Sequence, residues 1–238
     1  MSTFSNTFNQ ILTLNGINEP LNVEKFEALY TALIETNKQY NLTAVTDETG
    51  VAALHFADSL MALPYLSDAK TVLDIGCGAG FPCLPIAIAR PSISVTGVDS
   101  TAKKVDFSNK FANDNSINNF LSISARAEDL AKTEKRESFD LVTARAVSRL
   151  NVLMEITLPF VKVGGYFLAM KGSKGREELL EAEKGIVTLG GKVVKVEEKE
   201  LILPDQTQKR TLILIKKVEK TPEKYPRQYS KIVKSPLK

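Results

Sequence analysis

Three glycines alternate in Gly76-Cys77-Gly78-Ala79-Gly80, behind an apolar run that carries Asp74 and ahead of Phe81-Pro82. Alternating glycines let the main chain take positive φ and come into contact with a ligand. Further on, Ile93 to Val98 forms a second apolar run that ends in a carboxylate, Asp99. A glycine turn after one strand and an acid at the tip of the next is how an α/β sheet holds a ribose-containing cofactor, the acid accepting from the ribose diol. Asp99 can alternatively cap the helix that follows. Asp74 can orient the turn, meet a ligand amine or serve only the fold.

These residues need a scaffold, and the pattern supplies one. Strands are predicted at 71–75, 94–98, 121–124, 139–144, 165–170, 193–202 and 210–217, and helices at 82–90, 101–115, 149–159 and 174–189. Such alternation predicts a mostly parallel sheet of seven strands covered on both faces. The short polar link from Pro204 to Lys209 makes the last two strands an antiparallel hairpin at the edge. Upstream, the first seventy residues read as helices. One is capped by Asn22 and runs to about Lys38, with Val23, Phe26, Tyr30, Leu33 and Asn37 along a stripe. Another covers Gly50 to Leu63, with Val51, Leu54, Leu60 and Met61 inward and Pro64 as its stop. The expected division is a helical extension over 1–69, an α/β domain over 70–218 and a tail over 219–238.

The chain has 238 residues, 43% of them apolar, enough for a large core and against wholesale disorder. It shows no apolar run of membrane-spanning length and no secretory signal pattern at Met1-Ser2-Thr3, so a cytoplasmic protein is expected. Cys77 and Cys83 lack the spacing of a metal site and read as reduced fillers; no metal is expected. Net charge is +3, but unevenly spread: Lys216 to Lys238 carries +6 and the remainder −3. A basic segment on an acidic body suits a polyanion partner, or a solvated tail.

The glycine spacing decides between cofactors. A dinucleotide fingerprint needs a third glycine where Phe81 stands, which disfavours a nicotinamide enzyme. Acid-x-Gly-x-Gly-x-Gly resembles the pattern of S-adenosylmethionine (SAM) methyltransferases, whose sheets also end in a hairpin. On that reading Gly76, Gly78 and Gly80 admit the methionine part of SAM. Phe81 and Pro82 close one wall, and Asp99 takes the ribose. The main-chain N–H groups of Ala127 or Glu128, past the third strand, meet the adenine or simply start a helix.

Thr143-Ala144-Arg145-Ala146-Val147 follows the fourth strand, where substrate and methyl should meet. Together with Asp74 to Pro82, Arg126-Ala127-Glu128, His55-Phe56-Ala57-Asp58-Ser59-Leu60 and Asn41-Leu42-Thr43, it closely resembles the RsmG (GidB) methyltransferase family over nearly the whole chain. The resemblance implies a Rossmann-like class I SAM-dependent methyltransferase that modifies N7 of one guanine in the decoding-region loop of 16S small-subunit rRNA. It implies cofactor contacts at Gly76, Phe81, Ala127, Glu128 and Arg145. One departure stands in the tail, where Ser230 replaces the family's glycine.

Arg145 and Arg149 occupy the place where other methyltransferases keep an Asn/Asp-Pro-Pro-aromatic motif or a Pro-Cys nucleophile, and an arginine can grip phosphate or base edges there. His55, the only histidine, can face the substrate or be structural. Lys171, at the end of the fifth strand, can meet an RNA phosphate or be a solvated strand end. Arg227, Lys231 and Lys234 are the expected RNA contacts of the tail, in a protein expected to be monomeric. The competing readings are a small-molecule methyltransferase and a non-catalytic RNA-binding protein on the same fold.

Overall fold

Neighbouring residues of the first strand are buried in different places: Val72 in one apolar cluster and Leu73 in another. That is the period-two signature of a strand covered on both faces. The computed structural model describes residues 2–237. Its strands are β1 (Thr71–Ile75), β2 (Ser94–Asp99), β3 (Phe120–Ser124), β4 (Phe139–Arg145), β5 (Val161–Lys171), β6 (Gly191–Ile202) and β7 (Thr207–Lys217). They form one sheet in the order β3-β2-β1-β4-β5-β7-β6. The first five run parallel, and β7 lies antiparallel between β5 and β6. The order reverses after β1, so the carboxyl ends of β1 and β4 flank the crevice where such sheets bind ligands.

Helices α1 (Thr3–Leu14) and α2 (Val23–Asn37) lie on one face of the sheet. After them come α3 (Glu48–Gly50), a π-helical segment (Val51–Ala57) and α4 (Asp58–Leu60), then α5 (Cys83–Ala89) and α6 (Ala102–Asp114). The short α7 (Ala127–Leu130), α8 (Leu150–Thr157), α9 (Gly175–Thr188) and α10 (Tyr229–Lys234) complete the set. Phe4, Phe8, Phe26 and Phe56 stack and edge against one another inside the cluster that also holds Val72, Leu141, Leu168 and Leu212 of the sheet. The helical extension therefore shares its core with the α/β unit. Asn22 caps α2, as expected, by accepting from the Lys25 N–H at 3.1 Å.

Three local expectations change. The stripe predicted for Gly50 to Leu63 gives way to burial of Val51, Ala52, Ala53, Phe56 and Ala57, with Leu54 only half-buried. A π-helical segment closes i→i+5 bonds, so the 3.6-residue period does not describe its faces. Asn37 does not pack along a stripe. Its side chain accepts from the Leu42 and Thr43 N–H groups at 2.7 and 3.0 Å and donates to the Thr43 carbonyl, clamping the loop behind α2. The tail is not a loose solvated segment: Tyr225 and Ile232 are buried, and the Arg136 guanidinium donates to the Thr221 and Tyr225 carbonyls at 2.8 Å.

Candidate active site

Gly76 and Gly80 are required by the turn after β1. Both have positive φ, +73° and +98°. A Cβ on Gly76 would lie 2.4 Å from Val147, and one on Gly80 would lie 2.5 Å from Leu84. Beneath the turn, Asp74 is fully buried and accepts from the Thr143 hydroxyl at 2.9 Å, while its second oxygen has no hydrogen bond of ordinary geometry. Burial pushes its carboxyl up to about 7, against the smaller downward pull of Thr143, Cys83 and Arg145. This placement favours turn orientation over a direct ligand contact. Cys77 and Cys83 are buried free thiols, and burial raises Cys83 well above the ordinary thiol range, so it is inert.

Asp99 stands at the tip of β2. It accepts from the Gly78 N–H at 2.9 Å and the Thr101 N–H at 2.8 Å. It thus ties the glycine turn to the start of α6, and Thr101 itself takes the cap position. A carboxylate has about four acceptor sites, so both oxygens keep capacity for a diol. Asp99 lines a cleft of about 140 Å³ together with Gly76, Ala127, Glu128, Val147 and Tyr229. The Ala127 and Glu128 N–H groups, at the start of α7, have no acceptor within the fold. A close-approach glycine turn, a diol acceptor and free N–H groups on one cleft fit the methionine, ribose and adenine parts of SAM.

A second cavity, of about 360 Å³, lies beyond the segment Arg145-Ala146-Val147 and is lined by Leu54, His55, Asp58, Arg145, Lys171 and Arg210 among others. Ala146 has φ +56°, a conformation costly for a residue with a Cβ. Val147 faces the first cleft and Ala146 the second, so this strained turn is the partition between them. Asp58 is buried between two arginines: Arg145 reaches one oxygen at 2.9 Å and Arg210 the other at 2.8 Å. Arg145 also donates to the Leu54 carbonyl at 2.9 Å, while its Nε and Nη2 have no partner among the described residues. His55 stacks on Phe81 with centroids 4.7 Å apart, and its Nε2 pairs with the Thr43 hydroxyl at 2.7 Å. Burial, helped by Arg145, pushes its pKa down to about 4, so the ring is neutral at pH 7.

The structure places the other expected residues differently. Lys171 is buried, paired with Glu178 at 2.8 Å and donating to the Ser148 carbonyl at 2.6 Å. Its ammonium holds the turn ahead of α8 and is not a solvated phosphate contact. Arg149 lies outside the second cavity and pairs with Glu181 on the surface at 2.7 Å. Such exposed pairs hold by at most about 1 kcal/mol and release easily. Arg227 is no free RNA contact either. Its guanidinium grips the fully buried Glu155 through two bonds of 2.8 and 2.6 Å, and its main-chain N–H adds a third at 2.8 Å. Lys231 and Lys234 are exposed on α10. Sequence reasoning missed Arg210 and Tyr229: both reach their sites by long-range folding, and no local pattern marks them.

The sheet order, the glycine turn and the cleft at the ends of β1, β2 and β4 define a class I SAM-dependent methyltransferase. The fold is similar to TYW2 of Pyrococcus horikoshii, solved with MeSAdo, at 16% identity and a TM-score of 0.55 over 68% of this chain and 62% of that one. It is also similar to geranyl diphosphate C-methyltransferase of Streptomyces coelicolor, solved with S-adenosyl-L-homocysteine, at 17% identity and a TM-score of 0.51 over 68% and 79%. Sequence takes the assignment further. Residues 22–212 match the family model for rRNA small subunit methyltransferase G. Ribosomal RNA small subunit methyltransferase G of Lactobacillus johnsonii is 47% identical over 90% of this chain and 91% of its own length. The Staphylococcus carnosus protein of the same name is 45% identical over 90% of each. The chain belongs to the rRNA small subunit methyltransferase G family and is a SAM-dependent rRNA methyltransferase.

Proposed function

We propose that the chain methylates N7 of a guanine in the decoding-region loop of 16S rRNA, acting as a monomer in the cytoplasm on the small ribosomal subunit or a precursor of it. The observation that carries this reading is the absence of a free base in the second cavity. Asp58 is bonded by two arginines, and Glu178 by Lys171 and the Leu150 N–H. His55 is bonded to Thr43, and a ring with a pKa of about 4 binds a proton weakly. N7 of guanine carries a lone pair and no proton, so it needs none of them.

When bound, SAM supplies an electrophilic methyl on a cationic sulfur. The residues then have positioning work to do, and alignment of this kind can lower a barrier by about 7–11 kcal/mol. Asp99 and the α7 N–H groups hold the nucleoside end. The Gly76 turn and Val147 set the depth of the methionine end. Arg145, anchored through Asp58 and Leu54, presents its remaining N–H groups to a base edge or phosphate on the far side of the partition. Lys231 and Lys234 add sequence-independent attraction to the RNA backbone.

The test incubates the enzyme with SAM and small subunits from cells lacking its gene, then applies borohydride and aniline, which cleave at 7-methylguanine. A single enzyme-dependent cleavage in the decoding-region loop is expected. Methyl transfer without cleavage would reject N7 as the acceptor.

A further inference from the structure

The cofactor cleft has a wall that the glycine turn does not provide. Its floor and sides come from the ends of β1 and β2, the segment after β3 and the partition after β4. Its remaining side is Tyr229, the first residue of α10. The ring is half-buried and packs against the same apolar cluster as Val147 and Ala127. Anchors stand on either side of it. Arg227 is tied to Glu155 by three hydrogen bonds, and Ile232 is fully buried. The fold is therefore pinned before and after Tyr229. The Tyr229 hydroxyl has no hydrogen-bond partner among the described residues, so the fold itself makes no polar use of this side chain.

The geometry points to Tyr229 as a cofactor-binding residue, the aromatic face against which the adenine of SAM stacks. Asp99 fixes the ribose at one end of the same cleft, and the Ala127 and Glu128 N–H groups face the purine edge. A flat apolar ring opposite them is what a purine lacks on its remaining side. Aromatic stacking accepts any base face and depends little on the hydroxyl. The C-terminal segment then does two jobs: it closes the core through Arg227 and Ile232, and it completes the cofactor site through Tyr229.

The test uses the whole chain, which contains no tryptophan. In a Tyr229→Trp variant, all indole emission comes from this position. Titration with S-adenosylhomocysteine should change that emission and saturate. 5′-Methylthioadenosine, which lacks the amino-acid end, should produce the same change. By calorimetry, Tyr229→Phe should bind S-adenosylhomocysteine within about twofold of wild type, and Tyr229→Ala about tenfold or more weakly. Indole emission that stays silent while calorimetry shows the ligand bound would overturn the proposal. So would wild-type affinity in Tyr229→Ala. If Tyr229→Ala fails to fold, the indole signal and the Tyr229→Phe affinity decide. Absence of binding to the wild-type chain would instead overturn the SAM site itself.

Discussion

Asp99 and Asp74 are both acids at strand ends, yet one faces a cleft and the other is sealed. Asp99→Ala removes the diol acceptor and the bond to the Gly78 N–H. Charged hydrogen bonds of this kind contribute about 1.5–3 kcal/mol each, so the SAM dissociation constant should rise at least about tenfold by calorimetry. Equal affinity in the two proteins would refute the ribose assignment. Asp74 makes a prediction about pH. Its folded pKa, about 7, lies above the unfolded carboxyl value of about 4. The fold therefore prefers the protonated acid. Its contribution is whole below about pH 4 and is lost as the pH rises through 7. Asp74→Asn keeps an acceptor for Thr143 and removes that loss. It should raise Tm relative to wild type at pH 8 and not near pH 4. A Tm difference independent of pH would rule this out. The glycine turn and Asp99 were legible because each is a local pattern of a few residues. The sealing of Asp74 was not, since it depends on Thr143 in a different strand.

Among the elements, the joint between α4, β4 and β7 matters most. Asp58 comes from the helix, Arg145 and Arg210 from the two strands. Asp58→Ala leaves two largely buried guanidinium groups facing each other without their counter-charge. Removing one partner of a buried pair costs about 3–5 kcal/mol. Thermal unfolding should show a large drop in Tm, and methyl transfer should fall even where the protein remains folded. A variant with unchanged Tm would mean that solvent already screens the joint. All seven strands were legible from apolar runs and turn residues, to within a few residues of their ends. Arg210 was not, because a charged residue in a hairpin strand reads as solvated until the helix 152 residues earlier is brought beside it. The π-helical segment was misread for the opposite reason: a regular period was assumed where the backbone departs from one.

For the molecule as a whole, the tail's basic charge proves to have two uses. Arg227 is spent inside, so Arg227→Ala should lower Tm by leaving the Glu155 carboxylate buried and unpaired. Lys231 and Lys234 are exposed, so Lys231→Ala and Lys234→Ala should leave both Tm and SAM affinity unchanged. Each should weaken RNA binding and flatten its log–log salt dependence by up to about 0.7. If either lysine variant lowered SAM affinity instead, the division of labour along the tail would be wrong. Composition alone showed that the segment was basic. Which cations were free was settled only by burial of Glu155, an acid in an otherwise apolar helix.

The widened turn over Val51–Ala57 makes the enzyme sensitive to the length of its own coding sequence. Loss of one codon there lets the segment tighten into an ordinary α-helix, with the same apolar residues still available to the core. Everything downstream is then rotated by about 100° relative to what precedes it. Asp58 would swing away from Arg145 and Arg210 while the glycine turn and Asp99 stayed in place. Such an in-frame lesion should yield a folded protein that still takes up cofactor and no longer modifies RNA.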